Sequence, residues 1–302
     1  MNDQDDKKIT DQLMSACERV KLNEPMAKHT TIGVGGPARF FAIPADADEM
    51  IRLIRAAIRL RLDYIGVGRG SNLLVRNGGF NGLVVNVGAN LGKLEVRKRT
   101  AYAEAGVSFT RLGRVLMKEG RPGLEFAIGI PGSVGGAVRM NAGAYGSEIF
   151  RVLKSIKVID GKGRIVVMKP EHLPFRYRSS GLPRTSIVLS AIIHCPPGET
   201  DDRQYEKTLD RLESQPLSNR SFGSTFKNPP GDFAGRLIEK AGLKGVLRGG
   251  MMMSDKHANF LVNVGDNTRA NEAEDLIEHV IETVHSRFGV RLEPEVIIIG
   301  DR

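Results

Sequence analysis

The chain has 302 residues, 41% hydrophobic, 26% charged and 6% aromatic, with a formal net charge of +9 and a pI near 9.6. This is ordinary globular usage with room for two or three domains, and the positive charge asks for an anionic partner, either nucleic acid or a small phosphorylated ligand. No apolar stretch approaches the roughly eighteen residues of a membrane span, and the opening Asn2-Asp3-Gln4-Asp5-Asp6-Lys7-Lys8 is unlike a secretory leader, so a cytoplasmic protein with no membrane insertion is expected.

In chain order, Cys17 comes first, and with Cys195 it makes a set too small for a disulfide framework; no Cys-x-x-Cys exists, and the six histidines are scattered, so no metal is expected. Gly33-Val34-Gly35-Gly36-Pro37-Ala38 fits a loose dinucleotide fingerprint. It is followed by the strand-like Arg39-Phe40-Phe41-Ala42-Ile43-Pro44 where that motif needs a helix, so a Rossmann site is rejected. Met50, Ile51, Ile54, Ala57 and Ile58 recur at helical spacing behind Asp46, Asp48 and Glu49, which predicts a helix over 50–60. Strands follow at 64–67 and 83–87.

From 94 to 194 strands dominate: 94–97 against 101–105, then 155–159 and 164–168 joined through Asp160-Gly161-Lys162-Gly163, then 187–194. A helix capped by Ser108 and burying Leu112, Val115 and Leu116 interrupts them. Arg97-Lys98-Arg99 falls at a hairpin turn and reads as a solvated tip. With tryptophan absent and the remaining basic residues dispersed, nucleic-acid binding is set aside in favour of a small anion. Cys195-Pro196-Pro197-Gly198 marks a boundary, beyond which helices are predicted at 202–212, 232–241 and 268–287 and strands near 259–264 and 295–299.

Two glycine clusters stand out from this background. Residues 129–146 carry six glycines in eighteen positions with almost no charge. Glycine concentrates where φ must be positive or where backbone must approach a ligand, and successive N–H groups in such a bend bind anions, pyrophosphate above all. A plain connector is the alternative, but Pro131, Asn141 and Tyr145 are foreign to a flexible linker. The second cluster, Gly66-Val67-Gly68-Arg69-Gly70-Ser71-Asn72, is a place for a second phosphate; neither cluster is a Walker loop.

Further on, Ser221-Phe222-Gly223-Ser224-Thr225-Phe226-Lys227-Asn228-Pro229-Pro230 puts a hydroxyl, an ammonium and a carboxamide within five residues of what Gly223 and Pro229 predict to be a loop. There is no nucleophile elbow and no nearby histidine, so Ser224 is a poor hydrolytic nucleophile. A serine hydroxyl is a weak acid, able to protonate a strongly basic carbon. Read alone, these hydroxyls are as well explained by satisfying backbone groups. Phe175-Arg176-Tyr177-Arg178-Ser179-Ser180 and Leu292-Glu293-Pro294-Glu295-Val296 add an arginine fork suited to a carboxylate and a glutamate, each by default a surface charge.

These segments resemble, in one order along nearly the whole chain, the UDP-N-acetylenolpyruvoylglucosamine reductase family. The resemblance rests on Asn23 to Thr31, Gly35 to Ala38, Gly68 to Leu74, Gly129 to Gly146, Tyr177 to Ser180, Gly223 to Pro229, Ala241 to Gly245, Ser254 to Phe260 and Glu293 to Val296. It implies an α+β fold class: a two-lobed FAD-binding fold of the vanillyl-alcohol-oxidase/PCMH type plus a C-terminal α+β substrate-binding domain. The corresponding division is 1–92 for an N-terminal extension and first FAD-binding lobe, 93–198 for the second lobe, and 199–302 for the substrate domain, its last strand open to return to the FAD lobes.

The same resemblance implies non-covalent FAD held by Gly68, Gly70, Ser71, Asn72, Pro131, Gly132, Ser133, Gly135, Gly136, Asn141, Ala142 and Gly143. NADPH would be the reductant and the enolpyruvyl ether of UDP-N-acetylglucosamine the substrate. Arg178 and Glu295 would polarise the substrate carboxylate, Ser224 would donate a proton, and Lys227 and Asn228 would contact substrate. With 302 residues the chain looks like the family's shorter form, which lacks a tyrosine-bearing loop, and Met251-Met252-Met253 reads as apolar packing. An oxidase of the same FAD superfamily and a non-catalytic binding module are the competing readings; the first would react with oxygen and the second would be colourless.

Overall fold

The computed structural model describes residues 3–302. Its chain forms two compact units from interleaved segments: the first takes the chain up to Glu24, Ala38–Arg69 and Asn81–Leu209, and the second takes Pro25–Pro37, Gly70–Phe80 and Asp210–Arg302.

In the first unit the helix expected over 50–60 spans Ala47–Arg59, starting three residues earlier because Asp46 caps it, its carboxylate accepting from Glu49 N at 2.8 Å. The buried Glu49 carboxylate in turn accepts from Glu18 N at 3.0 Å and from Ala45 N. Met50, Leu53, Ile54 and Ala57 face inward, none more than 1% exposed. This helix belongs with a four-stranded sheet in the order Val20–Pro25, Pro37–Ala42, Phe80–Asn86, Tyr64–Val67, the last two parallel with Tyr64 opposite Leu83. A five-stranded antiparallel sheet runs Ile165–Met168, Leu153–Ile159, Ile187–His194, Thr100–Glu104, Leu94–Val96. Its first hairpin closes at Asp160, whose carboxylate accepts from both Lys162 N and Arg164 N at 2.9 Å. Ser108 caps the Phe109–Lys118 helix as expected, accepting from Arg111 N, and Leu112 and Leu116 are buried; Val115 is only half-buried, because it sits at the flank of the apolar stripe.

The second unit is built on an antiparallel sheet in the order Arg220–Ser224, Phe260–Asn263, Met251–Met253, Leu247–Arg248. Met251 and Met253 are fully buried and share a core with Leu276, Val280 and Val284 of the Ala270–Phe288 helix, so this methionine run packs an apolar interior. That helix stops at Gly289, where φ is +69°. The last strand, Ile297–Ile299, pairs in parallel with Leu73–Val75. Arg76 fixes this pairing to the helix: its Nε reaches both oxygens of buried Glu274 at 2.9 and 3.1 Å, and its Nη1 donates to Gly300 O at 3.3 Å. Among the described residues no helix is long and apolar enough to cross a membrane.

Both cysteines are buried, each in the first unit. Burial pushes the Cys17 thiol up to about 11, with the Glu49 carboxylate adding to the shift. Burial also raises Cys195, against the opposing charge of Arg121. Since the thiolate is the reactive form, Ellman's reagent at pH 8 should find no reactive thiol in the native protein and both in denaturant; prompt native reaction would contradict the burial.

Candidate active site

In the first unit the glycine segments 66–69 and 129–146 are brought together. A Cβ at Gly68 would lie 2.3 Å from Ser133 Oγ and push the two segments apart, and one at Gly135 would lie 2.9 Å from Ala105 Cβ and push the second segment off Ala105. Ser133 is buried and caps a short helix, Val134–Arg139, its Oγ accepting from Gly136 N at 3.3 Å. The 129–146 segment is therefore not all loop: a cap and the buried Val134 and Val138 are enough to fold a turn and a half of helix despite two glycines.

The turn entering this helix is pinned by Phe109 N to Gly132 O, Val134 N to Val107 O and Gly135 N to Ala105 O, at 3.1, 2.8 and 2.9 Å. Gly132 has φ +132°. Pro131 and Gly136 are exposed at its rim. After the helix, Ala142 N bonds Ala137 O, and Gly143–Ala144 pairs with Ser147–Glu148 so tightly that a Cβ on Gly143 would meet Ser147 O at 2.2 Å. The close backbone approach at Gly68, Gly135 and Gly143, with Pro131 and Gly136 exposed, leaves room for FAD to lie against backbone here, while the N–H groups of Val134, Gly135 and Gly136 are spent within the protein.

Arg178 is half-buried at a tight turn of the same unit. Arg176 and Ser179 exchange backbone hydrogen bonds of 2.8 and 3.0 Å across that turn, and Arg178 has φ +57°. Its guanidinium lies over the Tyr177 ring, 4.6 Å from the centroid.

The second unit gathers the remaining candidates from three distant stretches of sequence. Ser224 is the last residue of a strand, opposite Phe260, with a bulge after Ser221 and Gly223 at φ +79°. The loop expected over 221–230 thus begins only at Thr225: pairing with Phe260–Asn263 makes residues 220–224 a strand. Residues 225–227 then run antiparallel to 293–295: Glu295 N donates to Thr225 O at 2.8 Å, Phe226 bridges Pro294, and Lys227 N donates to Glu293 O at 2.9 Å. Asn72 completes the cluster, its Nδ2 donating to Glu295 O at 3.0 Å and its carbonyl accepting from Ile297 N at 3.1 Å. Gly70, at φ +64°, packs on His29: a Cβ there would meet His29 O at 2.0 Å. Ser71 lies between Gly70 and Asn72 and is half-buried.

Lys227 pairs with the exposed Glu293 carboxylate. Asn228 Oδ1 accepts from Ala234 N at 3.0 Å, at the start of the Ala234–Lys240 helix.

Sequence reasoning gave no role to Asn259, which the structure puts at the base of this cluster. Buried at 5% exposure, it accepts from Phe226 N at 3.0 Å and donates to Phe226 O at 2.8 Å, while its own carbonyl takes Thr225 N at 2.8 Å. The available signal was a carboxamide in an otherwise apolar strand start, Ala258-Asn259-Phe260-Leu261-Val262. Neighbouring His257 accepts from Asn259 N at 3.2 Å through Nδ1, and burial, helped by the charges of Arg211 and Lys244, pushes its pKa down. Among the described residues no group of three metal-ligating side chains occurs.

A glycine cradle on a two-sheet α+β unit, next in the chain to a second α+β unit, defines a flavoprotein of the FAD-binding class. The family model described as "FAD binding domain" matches residues 38–169, and that described as "UDP-N-acetylenolpyruvoylglucosamine reductase, C-terminal domain" matches 215–299. UDP-N-acetylenolpyruvoylglucosamine reductase of Anoxybacillus flavithermus is 41% identical over 299 residues, 97% of this chain and 99% of its own. Its counterpart in Streptococcus pyogenes is 44% identical over 93% of this chain and 96% of its own.

Among solved structures, UDP-N-acetylenolpyruvylglucosamine reductase from Thermus caldophilus superposes with a TM-score of 0.74 at 33% identity, over 93% of this chain and 98% of that one. A berberine bridge enzyme variant matches at 0.50 and 13% identity, over 63% of this chain and 43% of that one, a likeness of fold alone. The chain belongs to the UDP-N-acetylenolpyruvoylglucosamine reductase family and is an oxidoreductase with an FAD-binding domain, the fold class expected from its sequence.

Asn259→Ala would leave the buried N–H and C=O of Phe226 unpaired. A loss of about 3 kcal/mol is expected, read as a lowered urea midpoint; a midpoint within error of the parent would show that Phe226 is satisfied otherwise.

Proposed function

We propose that this chain reduces the enolpyruvyl ether of UDP-N-acetylglucosamine to UDP-N-acetylmuramate, with NADPH as the electron source, in cytoplasmic synthesis of peptidoglycan precursors. The observation that carries the reading is the antiparallel run of 225–227 against 293–295, which holds the backbone of Glu295 to that of Thr225, the residue after Ser224. Cofactor binding falls to the cradle of Gly68, Pro131, Gly132, Ser133, Gly135, Gly136, Ala142 and Gly143. These residues would hold FAD, and the chemistry it would supply there is a hydride, drawn from NADPH, for the terminal vinyl carbon of the substrate.

The remaining chemistry belongs to side chains. Hydride addition leaves negative charge on the carbon beside the substrate carboxylate, and a group that stabilises that charge lowers the barrier. Arg178, with five donors in a rigid fork, grips the carboxylate in two places. Its left-handed backbone is a strained state of the kind that persists where a side chain must be aimed. Glu295 acts beside an anion, which asks that it be either protonated or hydrogen-bonded there to help polarise the carboxylate. Ser224 then gives its hydroxyl proton to the basic carbon and completes the reduction.

Lys227 and Asn228 take the substrate's anionic part. The ion pair of Lys227 with exposed Glu293 is weak and is exchanged for a diphosphate at little cost. Asn228 spends its carbonyl on the helix start, which turns its NH2 toward ligand as a donor. The net charge of +9 favours approach of such an anion.

Anaerobic stopped-flow separates the two half-reactions. Ser224→Ala should leave flavin reduction by NADPH near the parent rate and slow reoxidation by the enolpyruvyl substrate by about 10²–10⁴-fold. Equal damage to both halves, or to neither, would remove Ser224 from the proton-donor role.

A further inference from the structure

Asn141 was expected at the flavin on sequence grounds, but its side chain is committed elsewhere. It is 1% exposed. Its Nδ2 donates to Glu148 Oε2 at 2.8 Å and to Arg176 O at 3.1 Å, and its Oδ1 accepts from Phe150 N at 3.3 Å. An amide NH2 has two hydrogens, and both are used here within the protein.

The bond to Arg176 O matters because Arg176 opens the turn that presents Arg178. The turn is held at other points from the same segment. Ser180 N, just past the turn, donates to Arg139 O at 3.0 Å, and the Phe150 ring packs on Phe175 with centroids 4.6 Å apart. Arg139 itself reaches Leu182 O at 3.4 Å, Pro183 O at 3.2 Å and Ser186 O, extending the grip beyond the turn. Residues 139–150, the outgoing half of the glycine segment, thus seize the arginine turn on both flanks.

Backbone conformation marks the same two places. Asn141 has φ +43° and Arg178 φ +57°, and with Tyr145 at φ +54° they make three of the five non-glycine left-handed residues among those described. Asparagine tolerates that conformation better than most residues, which fits a position needing both the bend and a two-way hydrogen-bonding side chain. A buried, fully bonded carboxamide has one geometry open to it, so it transmits position with little slack.

We infer that Asn141 is a positioning residue for Arg178: it registers the carboxylate-gripping turn to the flavin-binding segment of the same unit, and has no polar contact with the flavin of its own. The inference rests on the proposed role of Arg178 in the reductase reaction.

The test is a double-mutant cycle on the FAD-loaded enzyme, with the rate of flavin reoxidation by the enolpyruvyl substrate as one readout and hydrogen exchange of the Ser179 and Ser180 amides as the other. Asn141→Gly keeps the left-handed backbone and deletes the bonds; Asn141→Asp keeps the size but sets a carboxylate against Glu148 and a carbonyl, and serves if the glycine variant loosens the fold. In the parent background either change should slow reoxidation by about 10²-fold, the scale of a misplaced catalytic group. With Arg178→Lys already present, the same change should cost no more than about twofold.

Exchange at the two serine amides should rise at least about tenfold in either Asn141 variant. Equal losses in both backgrounds, or unchanged exchange, would overturn the inference while leaving the role of Arg178 intact. An Arg178→Lys enzyme as fast as the parent would instead remove that role, and the inference with it.

Discussion

The missing Cβ of Gly68 is the constraint on which the first unit's site depends. Two strands of backbone, one leaving the Tyr64–Val67 strand and one entering the Val134–Arg139 helix, meet where a methyl would stand 2.3 Å from the Ser133 hydroxyl. That contact lets Ser133 keep its cap on Gly136 N, the cap starts a helix that two glycines would otherwise disfavour, and the helix end delivers Arg139 and Asn141 to the arginine turn. The glycine segment and the Arg178 turn are thereby tied together within one unit by close backbone approach and hydrogen bonds.

The second unit solves a different problem by the same means. Its candidate groups come from residues 72, 224–228 and 293–295, and what joins them is almost wholly backbone pairing, backed by the carboxamides of half-buried Asn72 and buried Asn259. Backbone pairing is insensitive to side-chain identity, so it joins these stretches whatever side chains they carry. Stability is drawn from elsewhere, from the methionine and helix core, while the Arg76 to Glu274 pair, whose carboxylate is 8% exposed, fixes the last strand to the helix.

Much of this was legible from the sequence where local signals decide. The strands at 64–67 and 187–194 lie where apolar runs bounded by turn residues put them, and the Ser108 and Asp46 caps start their helices. The glycine segments signalled close backbone approach, because glycine spacing reports backbone proximity directly. What stayed hidden was set by distant partners. Residues 220–224 carry one buried phenylalanine and a glycine, and only pairing with Phe260–Asn263 makes them a strand. The Asp3–Met14 helix is too polar to declare itself, and Leu13, fully buried, anchors it. The commitment of Asn141 to Arg176 spans 35 residues, and no spacing rule reveals a carboxamide's choice between ligand and fold. Nor does a linear pass display units assembled from interleaved segments, such as Pro25–Pro37 and Gly70–Phe80 folding with Asp210–Arg302.

The account claims that one flavin accepts electrons from a nicotinamide and passes them to an enolpyruvyl ether. Its most direct test is the visible absorbance of the purified protein under nitrogen. The bound flavin band should bleach on addition of NADPH and return, in proportion to UDP-N-acetylmuramate formed, when the enolpyruvyl UDP-sugar is added. A flavin that stays bleached with that substrate and recovers only when oxygen is admitted would contradict the account and make the protein an oxidase.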